Sequence, residues 1–282
     1  MTQPLQITIA QINPVVGNLP ANQDKILQTL DNLPDETDLV VFPEMVTSGY
    51  PPEDLLIKDM FLDGLKNVVS AVQDKSKKMS AYIALPSAWI ECDALYNAIL
   101  IIHKGEIKQI IKKFELPNYG VFDEKRYFEI GDFSEPVIIK DVSIGFMICE
   151  DLWFPAVSAH LEDEGAELLV CCNASPFDHL KPEQRQATAK DRVREVGLPV
   201  LYVNQVGGQD ELVFDGGSFI MDHKGHIVTQ LPYFKEDHLH TKWKTQSDGG
   251  SNLICETKQI PGGQTAPERL YSAAVLGLRD YV

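Results

Sequence analysis

Val142-Ser-Ile-Gly-Phe-Met-Ile148 is an apolar run that stops at Cys149-Glu150-Asp151. A short β-branched and aliphatic stretch of this kind predicts a buried strand, and its end delivers a thiol and two carboxylates to one place. Runs of the same character recur on either side: Leu5 to Ala10, Leu39 to Phe42, Tyr82 to Leu85, Leu168 to Cys172 and Val200 to Val203. Between them lie stretches with helical spacing, Ala21 to Leu33, Glu53 to Val72, Ala156 to Asp163 and Pro182 to Val196. The first puts Ile26, Leu27, Leu30 and Leu33 on one stripe. Strand and helix alternate, which is an α/β pattern.

Two segments break the alternation. Asn97 to Ile111 has apolar residues on both sides of His103-Lys104-Gly105, and Ser218 to Leu231 repeats this around Asp222 to Gly225. Both predict hairpins with glycine in the turn, and hairpins between α/β units imply mixed sheets. Towards the C-terminus the linker Gln259 to Gln264 contains Pro-Gly-Gly. Thr265-Ala-Pro-Glu268 then reads as a capping box, followed by Leu270, Ala273, Ala274 and Leu278 at helical spacing. With neither glycine nor proline after Asp280, this helix reads as the opening of a second domain in a longer chain.

Composition narrows the function classes. The 282 residues are 44% hydrophobic and 23% charged, the balance of one or two globular domains. Twenty-five basic against 41 acidic side chains give a net charge of −16, which argues against a nucleic-acid or membrane-surface partner. The N-terminus has no basic residue before Lys25, and no apolar run nears the ~18 residues of a membrane helix. Five cysteines, an odd number, argue for reduced thiols and a cytoplasmic protein.

Two strand ends carry candidate chemistry: Asp38-Leu-Val-Val-Phe-Pro-Glu44 ends in a carboxylate, and Val142 to Cys149 in a thiol. Ligands of open α/β sheets gather outside the carboxyl ends of strands. Cys149 is either a nucleophile activated by a neighbouring base or a small buried hydrophobe, and composition does not choose. The histidines give a Cys-His protease little support. His223 and His226 flank a hairpin turn, and His238 and His240 sit in a charged stretch that reads as a solvated loop. No zinc spacing is present, and adjacent Cys171 and Cys172 would point to opposite faces of a strand, so no metal is expected. The doublets Gly207-Gly208 and Gly216-Gly217 match neither a phosphate loop nor a dinucleotide fingerprint.

The segment Lys113-Phe-Glu-Leu-Pro-Asn-Tyr119-Gly-Val-Phe-Asp-Glu124 completes a set. Glu44, Lys113 and Cys149, in this chain order, resemble the Glu-Lys-Cys triad of the nitrilase superfamily of carbon–nitrogen hydrolases. Pro43-Glu-Met-Val-Thr-Ser-Gly-Tyr-Pro-Pro-Glu-Asp54, Leu116-Pro-Asn-Tyr-Gly-Val-Phe-Asp-Glu124, Cys149-Glu-Asp-Leu-Trp153 and the block from Val203 to Ser218 are similar to the glutaminase domain of glutamine-dependent NAD synthetases. The resemblance covers nearly the whole chain.

It implies a four-layer α-β-β-α sandwich with mixed sheets, an oligomeric assembly, and hydrolysis of L-glutamine through a cysteine thioester. It makes Glu44 the general base, Lys113 and the Glu150 backbone N–H the oxyanion partners, and Glu124 the group that orients Lys113. Tyr119, Ser175 and Lys181 fall on glutamine-binding positions, and Tyr50 and Trp153 on the pocket wall. Family members often have arginine where this chain has Lys181, so carboxylate recognition there loses its two-pronged form. The implied division is a glutaminase domain over 1–264 and the start of a synthetase domain over 265–282. The Ser-Gly-Gly-x-Asp-Ser loop that binds ATP pyrophosphate is not in these residues, so ATP and Mg are expected only in the synthetase domain, with no cofactor for this chain. Two other readings share the features: a free-standing amidase acting on another short amide, and a catalytically silent interaction domain with an inert Cys149.

Overall fold

The structure, a computed structural model, describes residues 3–245, 253–261 and 264–282. Five strands open the chain: β1 (Leu5–Gln11), β2 (Leu39–Val41), β3 (Tyr82–Glu91), β4 (Ala94–His103) and β5 (Glu106–Lys112). Then come β6 (Val137–Ile139), β7 (Val142–Ile148), β8 (Leu168–Asn173), β9 (Val200–Asn204), β10 (Val206–Gln209), β11 (Leu212–Asp215), β12 (Phe219–Met221) and β13 (Ile227–Gln230), with β14 (Asp237–Thr245) and β15 (Leu253–Cys255) last. The helices are α1 (Leu19–Asp31), α2 (Asp59–Ser76), α3 (Pro155–Asp163), α4 (Lys181–Val196) and α5 (Ala266–Tyr281).

One sheet has the order β15-β14-β1-β2-β3-β4-β5 and the other β13-β12-β9-β8-β7-β6, with β10 and β11 pairing separately. Parallel pairing joins β1, β2 and β3 in the first and β7, β8 and β9 in the second; the outer strands are antiparallel. The two sheets bury a shared face, where Ile7, Ile9, Val41 and Ile101 meet Ile144, Phe146, Val170 and Val203. Ile26, Val68 and Val72 of α1 and α2 cover the far side of the first sheet, and Val157, Leu161 and Val193 of α3 and α4 that of the second. This is the four-layer α-β-β-α sandwich with mixed sheets. Cys171 packs on the helix side and Cys172 on the sheet side, as the alternation of strand residues requires.

Local signals account for most element ends. Asn18 accepts a bond from the Ala21 N–H at 3.3 Å with Pro20 in the first turn of α1, and Gly197 at φ 72° ends α4. Thr265 and Glu268 cap α5 reciprocally. This helix packs on the β10–β11 hairpin, with Asp280 accepting the Gly208 N–H at 2.8 Å. Of the linker before it, Gly262 and Gly263 lie outside the described residues.

Three expectations need correction. Glu53 to Val72 is not one helix: a 3₁₀ turn (Glu53–Ile57) stops at Lys58, which is extended (φ −104°, ψ 113°), before α2 begins. His238 and His240 lie in a strand, β14, rather than a loop. Leu239, Thr241 and Trp243 alternate inwards there while the two histidines face outwards and reach Thr29 and Thr8. β3 also runs on past Leu85 to Glu91 and turns back at Cys92-Asp93, both at positive φ, to pair with β4.

Candidate active site

β3, β4 and β5 alternate in direction, so β5 runs the same way as β2 and ends at the same edge. That places Lys113, the residue after β5, beside Glu44, three residues beyond β2. β7 and β8 of the second sheet end at the facing edge and deliver Cys149 and Ser175. The sheets are tied there by the Ala174 N–H, which donates to Glu44 Oε2 at 2.9 Å.

Lys113 is 1% exposed and its Nζ donates to Glu44 Oε1 and Glu124 Oε1, both at 2.8 Å. Asn97 Nδ2 donates to the same Glu44 oxygen at 2.7 Å, and the Tyr50 hydroxyl to Glu124 Oε1 at 2.8 Å. Burial disfavours the ammonium, but the Glu124 and Glu44 carboxylates outweigh it and hold the Lys113 pKa well above the ordinary range. Burial pushes the Cys149 thiol well up, Glu44 adds to the rise, and Lys113 opposes it. A thiol held this way is protonated at neutral pH and needs a base as it reacts.

Cys149 has φ 45°, in the left-handed region that costs a residue with a Cβ about 1–3 kcal/mol. The surroundings enforce it. Asp151, 2% exposed, accepts the Ile148 N–H on Oδ2 at 2.9 Å, and the Phe114 and Glu115 N–H groups on Oδ1 at 3.1 and 2.8 Å. One carboxylate thereby pins the turn holding Cys149 to the chain leaving Lys113. Burial raises the Asp151 pKa to about 7, against the pull of those three donors. The N–H groups that open the 3₁₀ turn Cys149–Leu152, the Glu150 N–H among them, have no acceptor within the turn.

The remaining sequence-selected residues surround this edge. Tyr119, half exposed, donates its hydroxyl to both Glu150 carboxylate oxygens at 3.0 Å. Burial raises the Glu150 pKa, with the Tyr119 bond opposing. Lys181 Nζ lies 4.3 Å from the centre of the Trp153 ring, and its pKa falls through burial and then through the Arg185 charge. Tyr50 is buried behind the triad, edge-on to Phe214. Ser175 is buried with its N–H on Asn204 Oδ1 at 2.9 Å.

Asn97 and Arg185 join the site although sequence reading gave them no part, and Asp151, read only as a carboxylate next to Cys149, takes the bracing role described above. The available signal was polarity at inward positions: Asn97 inside an apolar strand, and Arg185 on the buried stripe of α4 beside Ala189.

A family model described as carbon-nitrogen hydrolase matches residues 6–244. The glutamine-dependent NAD(+) synthetase of Aquifex aeolicus (strain VF5) is 35% identical over 305 aligned residues, taking in 99% of this chain and 54% of that protein. The structure of glutamine-dependent NAD+ synthetase from Acinetobacter baumannii superposes with a TM-score of 0.91 at 30% identity, over 99% of this chain and 52% of that one. A CN-hydrolase superfamily protein from Xanthomonas campestris shares the fold, with a TM-score of 0.74 at 23% identity over 85% of this chain and 90% of that one. The chain spans about half the length of the synthetases it matches.

Proposed function

This chain belongs to the carbon-nitrogen hydrolase family, and on that premise we propose that it is a glutaminase, releasing ammonia from L-glutamine for an ATP-dependent synthetase domain of the same protein that amidates deamido-NAD. The observation that carries the reading is a buried lysine bridging two carboxylates beside a cysteine held in a strained turn. In the proposed reaction Glu44 takes the Sγ proton of Cys149 as the sulfur attacks the side-chain carboxamide carbon. The oxyanion of the tetrahedral intermediate meets the Lys113 ammonium and the Glu150 N–H. Glu44 returns the proton to the departing nitrogen and ammonia leaves. It then draws a proton from water, whose oxygen attacks the thioester; glutamate is released and the thiol regains its proton. Glu124, also bonded to Tyr50, keeps Lys113 charged and aimed.

Charge supports glutamine as the amide. Glu150 with Tyr119 offers an acceptor for the substrate's ammonium, and Lys181 a cation for its carboxylate. Tyr50 and Trp153 give the pocket its walls. No metal or cofactor enters these steps, and ATP and Mg belong to the proposed synthetase domain. Leu270, Tyr271, Val275 and Leu278 point outwards from α5 and fit a helix covered by that domain, or by another copy in a homo-oligomer. All five thiols are free, which fits the reducing cytoplasm. Among the described residues no helix is long and apolar enough to cross a membrane.

The test is covalent trapping: the protein is incubated with an electrophilic glutamine analogue and the adduct located by intact mass and peptide mapping. The expected result is one adduct on Cys149, blocked by excess glutamine and lost in Cys149→Ala and Glu44→Gln. Labelling scattered over several cysteines, or none on Cys149, would defeat the reading.

A further inference from the structure

Asn97 interrupts the apolar run of β4 and is fully buried. Burying an amide without a full set of partners costs free energy that a leucine of similar size would not incur. Among the described residues its side chain makes one hydrogen bond: Nδ2 donates to Glu44 Oε1 at 2.7 Å, while Oδ1 is buried with no partner. A carboxylate only accepts, so this bond fixes which end of the amide faces Glu44. The Asn97 backbone carbonyl accepts the Lys113 N–H at 2.8 Å. One residue therefore touches the base with its side chain and the lysine with its main chain.

The two oxygens of Glu44 are not equivalent. Each offers two lone pairs. On Oε1 both are taken, by Lys113 Nζ at 2.8 Å and by Asn97 Nδ2 at 2.7 Å. Oε2 accepts the Ala174 N–H alone among the described residues, at 2.9 Å, and keeps a free acceptor position. Ala174 follows β8, the neighbour of β7, so Oε2 is turned towards the sheet edge that carries Cys149. Without Asn97, each oxygen would hold one donor and one free position, and the distinction between them would be lost.

We propose that Asn97 is a positioning residue for the base: by filling Oε1 it makes Oε2 the single oxygen of Glu44 that takes the Cys149 proton. As the S–H bond breaks, the electron pair left on sulfur forms the bond to the carboxamide carbon and the proton goes to Oε2. The same oxygen then hands that proton to the departing nitrogen. The inference rests on the Glu44 and Cys149 roles of the glutaminase reading and adds to them the oxygen used and the residue that selects it.

The experiment compares ammonia release from L-glutamine by the native protein and by Asn97→Leu, which keeps the size of the side chain and removes the donor. Active sites are counted at the end point of labelling by the electrophilic glutamine analogue. Per labelled site, kcat is expected to fall roughly tenfold or more with KM within about twofold, because the bond orients the base and touches no part of the substrate. Alkylation of Cys149 by iodoacetamide at neutral pH should slow as well. In Glu44→Gln, where the base is already gone, adding Asn97→Leu should change that alkylation rate by no more than about twofold, since the two side chains act as one unit. Asn97→Ala, which lacks the donor in a smaller side chain, decides by the same split if Asn97→Leu does not fold. A loss confined to KM, or an equal loss of alkylation rate with and without Glu44, would overturn the assignment. With native Cys149 labelled by the glutamine analogue, an unchanged kcat in Asn97→Leu defeats the Asn97 role alone. With native Cys149 unlabelled and no ammonia released, the glutaminase reading fails and takes this role with it.

Discussion

Removing the Lys113 ammonium leaves Glu44 and Glu124 facing each other in the interior with no cation between them. Breaking one side of a buried ion pair costs about 3–5 kcal/mol, so Lys113→Met is expected to lower unfolding stability by that order, read by urea denaturation. Adding Glu124→Gln should restore part of it, since one carboxylate then no longer needs neutralising, while activity stays lost. The Cys149 thiol is shifted upwards, the opposite direction from a thiol activated by a lowered pKa. Burial, the largest cause, holds the proton on sulfur, so the thiolate fraction grows only as pH rises above the ordinary thiol pKa of about 8.5. In Glu44→Gln, alkylation of Cys149 by iodoacetamide should therefore keep accelerating beyond pH ~8.5; a plateau for Cys149 at neutral pH would refute this. Strand-end residues such as Glu44 and Cys149 were legible in the sequence because apolar runs point at them. The bracing role of Asp151, and Arg185 altogether, were not, since hydrogen bonds to distant backbone groups leave no local pattern.

The turn that delivers Lys113 is braced from outside by Gly131, whose N–H donates to the Lys113 carbonyl at 2.9 Å. A Cβ at Gly131 would fall 2.8 Å from the Lys112 carbonyl carbon and oxygen, atoms that cannot yield without shifting the end of β5. Gly131→Ala is thus expected to lower kcat roughly tenfold or more with little change in KM, because a displaced catalytic group costs rate more than binding. Equal effects on both parameters would contradict it. The hairpins show why some elements were readable and others were not. Gly105 and Gly225 mark two turns openly, whereas β3–β4 and β6–β7 turn through Cys92-Asp93 and Lys140-Asp141, side-chain-bearing residues driven to positive φ by tertiary pairing. Alternation of Leu239, Thr241 and Trp243 was a real strand signal in β14, masked by the charges between them.

At the scale of the molecule, a net charge of −16 repels itself across the folded surface. Raising ionic strength from about 0.01 to 0.15 M shortens the screening length from about 30 to 8 Å, so the thermal midpoint should rise with salt. Glutamine has no net charge, and its kcat/KM should move little over the same range; a strong salt dependence of kcat/KM would point to a charged substrate instead. The layered architecture itself was legible, because alternating strand and helix patterns report the layers. How the two sheets face each other was not, and the site depends on that. Glu44, Lys113 and Glu124 come from the segment before β6, while Cys149, Ser175 and Lys181 come from the segment after it. Catalysis in such a protein is a coincidence detector, silent until both sheets have found one another. On the proposed glutaminase reading, a chain severed between Ser134 and Glu135 would serve as a two-piece reporter, with ammonia release announcing reassembly.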